Sequence, residues 1–312
     1  MWEKFSFLKN ELTEFESYMN GKYPVGRAFI DDLSHDAIFS GGKRIRPALV
    51  IITSMMGDYK REVVFPAAAA IETLHTATLI HDDIIDNAAC RRGKPTITEK
   101  HGVNLAVYTG DYLLAKSMLL LAESGLPADM LKFTAKAAKI MCIGEVNQYI
   151  NRYNVTSIGS YIRRIMKKTG ILFVASCVCG TYAAGLSEDQ MNKMARFGLN
   201  LGVAFQIRDD LLDIESDYIR EGKPVKNDLN EGIATLPFIY SVMKDESVRK
   251  QLKGFYDGFI DIKDVIKTVK ETGGTEDAKR LKNRYIKRCR DILSGIPQYE
   301  CLGAMEEILS RL

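Results

Sequence analysis

The chain has 312 residues, 46% of them hydrophobic, with 43 Lys and Arg against 40 Asp and Glu and a formal net charge of +3. That is ample apolar material for a large core, while the small charge, with no basic block interleaved with aromatics, argues against a nucleic-acid partner. Six scattered cysteines, with Cys177-Val178-Cys179 in place of a CxxC pair, and four histidines argue against a zinc site and for reduced, mostly buried thiols.

The N-terminal stretch MWEKFSFLKNELTEFE is acidic and amphipathic and lacks the basic start and apolar run of a signal peptide. The longest weakly polar stretch, 171–186, falls short of a membrane span, so a soluble, cytoplasmic protein is expected. Apolar residues recur at three- and four-residue intervals almost throughout, which predicts an all-α chain of ten or more helices. Breaks fall at 21–24, 41–42, 57–58, 93–95, 125–127, 154–159, 185–186, 221–224, 273–274 and 295–297, where Gly, Pro and Asn cluster. Helices over 67–86, 131–153 and 191–213 are apolar around much of their circumference and belong at the centre. Prolines number eight and no Pro, Gly or Ser linker divides the chain. One domain, 1–312, is expected, a single large helical bundle.

Two stretches carry the chemistry. The first reads Leu79-Ile80-His81-Asp82-Asp83-Ile84-Ile85-Asp86, followed by Arg91-Arg92-Gly93-Lys94-Pro95; the second reads Phe205-Gln206-Ile207-Arg208-Asp209-Asp210-Leu211-Leu212-Asp213, followed by Gly222-Lys223-Pro224. Positions i and i+4 share a helix face, so Asp82 with Asp86, and Asp209 with Asp213, form two-toothed carboxylate combs. Acids this close repel by roughly 1 kcal/mol per pair even when exposed, so a cation is expected between them. Hard ions favour oxygen ligands, and Mg2+ takes about one or two carboxylates, several waters and substrate phosphate oxygens. The combs lie on both sides of the midpoint, which favours two facing walls of one cavity. Upstream, Gly41-Gly42-Lys43-Arg44-Ile45-Arg46-Pro47 combines glycines that allow close backbone approach with a point charge and a planar fork suited to phosphate. It lacks the spacing of a P-loop. His75, alone in an apolar segment, reads by itself as a core histidine, and Lys168-Thr169 as helix-end surface.

These blocks, in this order and over roughly residues 40–240, resemble the signatures of the trans-isoprenyl diphosphate synthases, also called polyprenyl synthetases. The resemblance implies the all-α isoprenyl synthase fold and a prenyltransferase that joins isopentenyl diphosphate head to tail with an allylic diphosphate such as farnesyl diphosphate. It implies about three Mg2+ ions, with Mn2+ as a substitute, on Asp82, Asp83, Asp86, Asp209, Asp210 and Asp213. Lys43, Arg46, His75 and Arg92 would hold isopentenyl diphosphate, and Arg91, Lys168 and Lys223 the allylic diphosphate, with Thr169 and Gln206 turning oxygens toward the reacting carbon. His81 and Arg208 sit beside the combs, and Glu145 and Gln148 match as supporting residues. The chain departs from the usual pattern at Lys226, where a glycine is expected, and at Ile233, where a lysine is. The stretch 144–183 resembles the catalytic subunit of two-component heptaprenyl diphosphate synthases, so the partner is either a second copy or a smaller, dissimilar subunit, with membrane contact at most peripheral and through the product. The position five residues before Asp82, roughly 7.5 Å lower, is Ala77, small enough to leave a product tunnel open past the farnesyl stage; heptaprenyl is the first expectation and Tyr112 or Phe173 the alternative floor. A short-chain synthase, a class I terpene cyclase and a non-catalytic synthase subunit are the competing readings.

Overall fold

The computed structural model describes residues 2–215 and 227–312. Helices α1 (Ser6–Lys22), α2 (Phe29–Ile38) and α3 (Ile45–Ser54) lead into α4 (Arg61–Ile85). An antiparallel hairpin of β1 (Cys90–Arg91) and β2 (Lys94–Pro95) separates α4 from α5 (Ile97–His101) and α6 (Val103–Glu123). Then come α7 (Ala128–Ile150), α8 (Ile158–Ile165), a π-helical turn (Met166–Gly170), α9 (Ile171–Ala183) and α10 (Glu188–Glu215). The C-terminal part holds α11 (Asn227–Asn230), α12 (Leu236–Lys244), α13 (Ser247–Tyr256), α14 (Ile262–Glu271), α15 (Gly274–Ser294) and α16 (Leu302–Ser310). The all-α expectation holds apart from the short hairpin, whose two-residue strands are too brief to show alternation.

Helix α4 is central because its sequence leaves it no polar face over most of its length. Ala67, Ala68, Ala69 and Ala70 are all fully buried, and such small side chains let α3, α6 and α9 pack closely around it. The helix stops where Asn87 takes a left-handed φ of 47° and the Ala88 N–H reaches back to the Asp83 carbonyl at 2.9 Å, a Schellman-type closure. Asp82 and Asp86 therefore sit on its last turn and cap, at the mouth of the bundle. Helix α10 places the second comb likewise near its C-terminal end, against α9 and α15.

Among the described residues two helices, α4 and α6, are long and apolar enough to cross a membrane by length and composition, which corrects the view of 171–186 as the longest such stretch. The apolar window of α4 is 78% buried inside the fold and that of α6 39%. The main core runs through α1, α3, α4, α9, α10, α15 and α16, and a smaller one joins α12, α13 and α14. Helix α12 ties them together, giving Leu236 and Ile239 to the first and Phe238 and Val242 to the second.

Candidate active site

A cavity of about 860 Å³ opens between the C-terminal ends of α4 and α10, with the start of α3, α7 and the π-helical turn completing its wall. Asp82 and Asp86 line it from one side, Asp209 and Asp213 from the other. The i, i+4 reading of the combs is thus met in space.

The middle aspartates behave differently. Asp83 is rotated about 100° from Asp82 around the helix, is 6% exposed and does not line the cavity. It accepts from the Arg91 guanidinium, with Nε and Nη2 both 2.7 Å from Oδ1. Asp83 as a direct metal residue is therefore corrected to an anchor for Arg91. Asp210 borders the cavity but is 3% exposed, and takes the Tyr161 hydroxyl at 2.6 Å and the Gln206 amide at 2.9 Å. Burial, then the nearby Asp228 carboxylate, push Asp210 up to about 7, against the pull of those two donors.

The basic residues fall into place through local backbone devices. Arg92 and Gly93 have positive φ values of 52° and 76° between strands paired Arg91 to Lys94, a conformation of the type I′ hairpin turn. That turn brings Arg91 and Arg92 back over the α4 end, where Arg92 donates to the Gly41 carbonyl. A Cβ on Gly42 would stand 2.9 Å from the Arg92 guanidinium, so the Gly41-Gly42 loop needs its glycines both for this approach and for φ values of 108° and 133°. Lys43, Arg46, His75, Arg91 and Arg92 all line the cavity. Arg46 donates to His75 Nε2 at 2.9 Å and stacks 4.7 Å from the Phe173 ring. Burial and then the Arg46 charge hold His75 well below the usual histidine range, so it faces the cavity as a neutral imidazole with its proton on Nδ1. Arg44, in the same motif, is occupied by Glu16, Glu72 and the Ile38 carbonyl at 2.5, 2.8 and 2.8 Å.

On the far wall the π-helical turn inserts an extra residue that aims Lys168 and Thr169 at the cavity. Gly144 makes this possible, because a Cβ there would lie 2.8 Å from the Lys168 backbone nitrogen. Lys168 pairs with Glu145 at 2.9 Å. Burial pulls the lysine down, but Asp82 and Glu145 hold it above its usual range and it stays charged. Thr169 donates to Gln206 Oε1 at 2.7 Å, extending the chain Thr169–Gln206–Asp210–Tyr161. His81 and Arg208 also line the cavity, paired with Asp111 at 3.4 Å and Asp209 at 3.8 Å. Gln148 does not line it, and Lys223 and Lys226 lie outside the described residues.

Three contributors had not been singled out from sequence: Tyr161, Asp228 and the Arg44 carboxylate cluster. Asp228 lines the cavity, two residues after the departure at Lys226. Ile233, the expected lysine position, is 3% exposed and is not among the residues that line the cavity. A lysine there would be buried rather than delivered to a ligand. Below the combs the wall is apolar, with Leu74, Ala77, Leu114, Ala138, Met141 and Leu172. Neither Tyr112, whose hydroxyl donates to Asp31 at 2.8 Å, nor Phe173 is part of that lining; Phe205 is its one phenyl ring among the described residues.

Among the described residues no three acidic, histidine or cysteine side chains are gathered into a ready metal cage. The donors facing one another across the cavity are carboxylates, and Lys and Arg side chains line it beside them. This all-oxygen set fits a hard divalent ion completed by substrate oxygens.

Residues 27–272 match the polyprenyl synthetase family model. The chain is 36% identical to heptaprenyl diphosphate synthase component 2 of Geobacillus stearothermophilus, over 97% of this chain and 95% of that one. It superposes on heptaprenyl diphosphate synthase from Staphylococcus aureus with a TM-score of 0.91 and 27% identity, covering 97% of each chain. On geranylgeranyl pyrophosphate synthase from Lactobacillus brevis the TM-score is 0.90 at 28% identity, over 99% and 97% of the two chains. With two carboxylate walls and two basic flanks around one cavity, in a fold shared end to end with these synthases, the chain belongs to the polyprenyl synthetase family and is a prenyltransferase.

Proposed function

We propose that this prenyltransferase extends an allylic diphosphate such as farnesyl diphosphate with isopentenyl diphosphate to a medium- or long-chain trans product, heptaprenyl diphosphate first. The observation that carries the length is the apolar wall below the combs, where Ala77 is small and Leu74 lies one turn deeper. Relatives of both long and short product length share the fold, so the wall and not the fold bears on length.

The family works with divalent metal ions. Asp82, Asp86, Asp209 and Asp213 would hold about three Mg2+, or Mn2+, supplying the positive charge that stabilises the departing diphosphate. Lys168 and Arg91 add fixed cations on that side, each kept in place by a carboxylate, Glu145 or Asp83. Lys43, Arg46, Arg92 and neutral His75 bind the diphosphate of isopentenyl diphosphate and hold its double bond toward the allylic carbon. As the allylic carbon–oxygen bond breaks, the double bond attacks to form the new carbon–carbon bond, and the lost proton passes to the released diphosphate. The Thr169 and Gln206 oxygens face the electron-poor carbon and exclude water from it.

The same proposal includes a dimeric assembly in the cytoplasm, with a second copy or a smaller, dissimilar subunit, and membrane contact only through the product. Apolar side chains left exposed on α6 and α7, among them Leu119 at 63% and Ile150 at 65%, support a partner surface. The relatives' designation as component 2 favours the dissimilar subunit.

The test is an assay of the purified chain with farnesyl diphosphate, isopentenyl diphosphate and Mg2+, followed by chromatography of the products. A product of seven isoprene units from the chain alone supports the homodimer. An inert chain that gains this activity with a second component supports the two-subunit form. Accumulation of geranylgeranyl diphosphate alone under both conditions defeats the length assignment.

A further inference from the structure

A second recess, of about 150 Å³, lies where the end of α7, α8 and the π-helical turn meet, and shares no lining residue with the catalytic cavity. Its lining is entirely polar and, among the described residues, contains no carboxylate: Asn147 comes from α7, Asn151 from its C-cap, Thr156 from the loop that follows, Ser160, Arg163 and Arg164 from α8, and Lys167 from the π-helical turn. The three cations fall within about one turn, where like charges destabilise a helix. Other cations of the chain are held by carboxylates, among them Lys168 on Glu145, Lys22 on Glu123 and Lys279 on Glu215. No ion pair to a described residue reaches Arg163, Arg164 or Lys167. In addition, the Arg164 Nε is buried without a hydrogen-bond partner, an arrangement that costs free energy unless a ligand supplies an acceptor.

We infer that this recess binds a small oxyanion of the phosphate type, inorganic phosphate or diphosphate. Its volume far exceeds the roughly 10–15 Å³ needed for one water, and a cluster of two guanidiniums, an ammonium and side-chain amides matches multiply charged oxygens better than any neutral ligand. The recess is joined to the second comb, since the Arg164 guanidinium stacks 5.3 Å from the Tyr161 ring and the Tyr161 hydroxyl donates to Asp210. An anion on Arg164 therefore acts on the support of Asp210 without entering the cavity. The inference stands on the recess alone and does not depend on the product assigned above.

Calorimetric titration of the metal-free protein with phosphate, and separately with diphosphate, tests it, using wild type, Arg163→Ala/Lys167→Ala and Lys43→Ala/Arg46→Ala. The first double variant should loosen one class of anion site by roughly tenfold or more while the second leaves that class intact, with helical circular dichroism unchanged in both. Lys167→Arg should retain the site. Whichever anion shows the loss identifies the source, free phosphate or the diphosphate that prenyl transfer releases. Anion binding indifferent to Arg163 and Lys167 for both anions, or crystals soaked in tungstate that show density only in the large cavity, would overturn the inference and leave the prenyltransferase reading untouched.

Discussion

On the α4 wall the middle aspartate, Asp83, is buried against the charged Arg91 guanidinium, whereas on the α10 wall Asp210 receives only neutral donors, Tyr161 and Gln206. The two motifs have the same pattern of acids, and their outer teeth face the same cavity. What differs is how the buried acid is compensated. Charge pairing on the first wall leaves Arg91 fixed at the cavity lining. Hydrogen bonding on the second leaves no ion pair, and Asp210 is pushed up to about 7 by burial. A repeated motif thus does not make its two copies equivalent, because the inward tooth answers to whatever packs behind it.

The largest effect expected is from the outer teeth, where the walls act alike. Asp82→Ala and Asp209→Ala should each lower turnover by roughly a thousandfold or more, with unchanged helical circular dichroism; normal turnover in either would remove the combs from the mechanism. The two basic flanks should separate by substrate. Arg46→Ala is expected to raise KM for isopentenyl diphosphate by roughly tenfold or more with much less change for the allylic substrate, and equal changes would make Arg46 a general electrostatic contributor. The inner teeth should differ from each other in stability. Asp83→Asn strands the Arg91 charge and should cost about 2–3 kcal/mol, while Asp210→Asn, among neutral donors, should cost about 1 kcal/mol; denaturant titration measures both, and the reverse order would contradict the contrast drawn here. Tyr161→Phe removes one donor to Asp210 and should cost about 1 kcal/mol of stability or less.

Product length offers a test of the wall below the first comb. Ala77→Phe should shift the products toward farnesyl or geranylgeranyl diphosphate, as read by chromatography, since a phenyl ring would enter the apolar wall beside Leu74 and Met141. An unchanged distribution would move the stop to another element, with Phe205 on the opposite wall the next candidate.

What the sequence determined by itself is local or periodic. Helical spacing dictates that Asp82 and Asp86, and Asp209 and Asp213, share faces, and a run such as Ala67 to Ala70 can only belong inside. The glycines at 41 and 42 announce a close backbone approach, and the order of the motifs marks the family. Tertiary structure decided which neighbours those elements meet. The partner of Asp210 is Tyr161, 49 residues away, and Arg44 turns toward Glu16 and Glu72 while Arg46, two residues on, turns toward His75. Ile233 stands where a lysine was expected, yet it is buried off the cavity, and the basic recess at the π-helical turn exists only because α7 and α8 meet there. Periodicity reports which face of a helix is buried; which residue it is buried against depends on long-range packing, and that is what sets the charge, the hydrogen bonds and the role of each buried group.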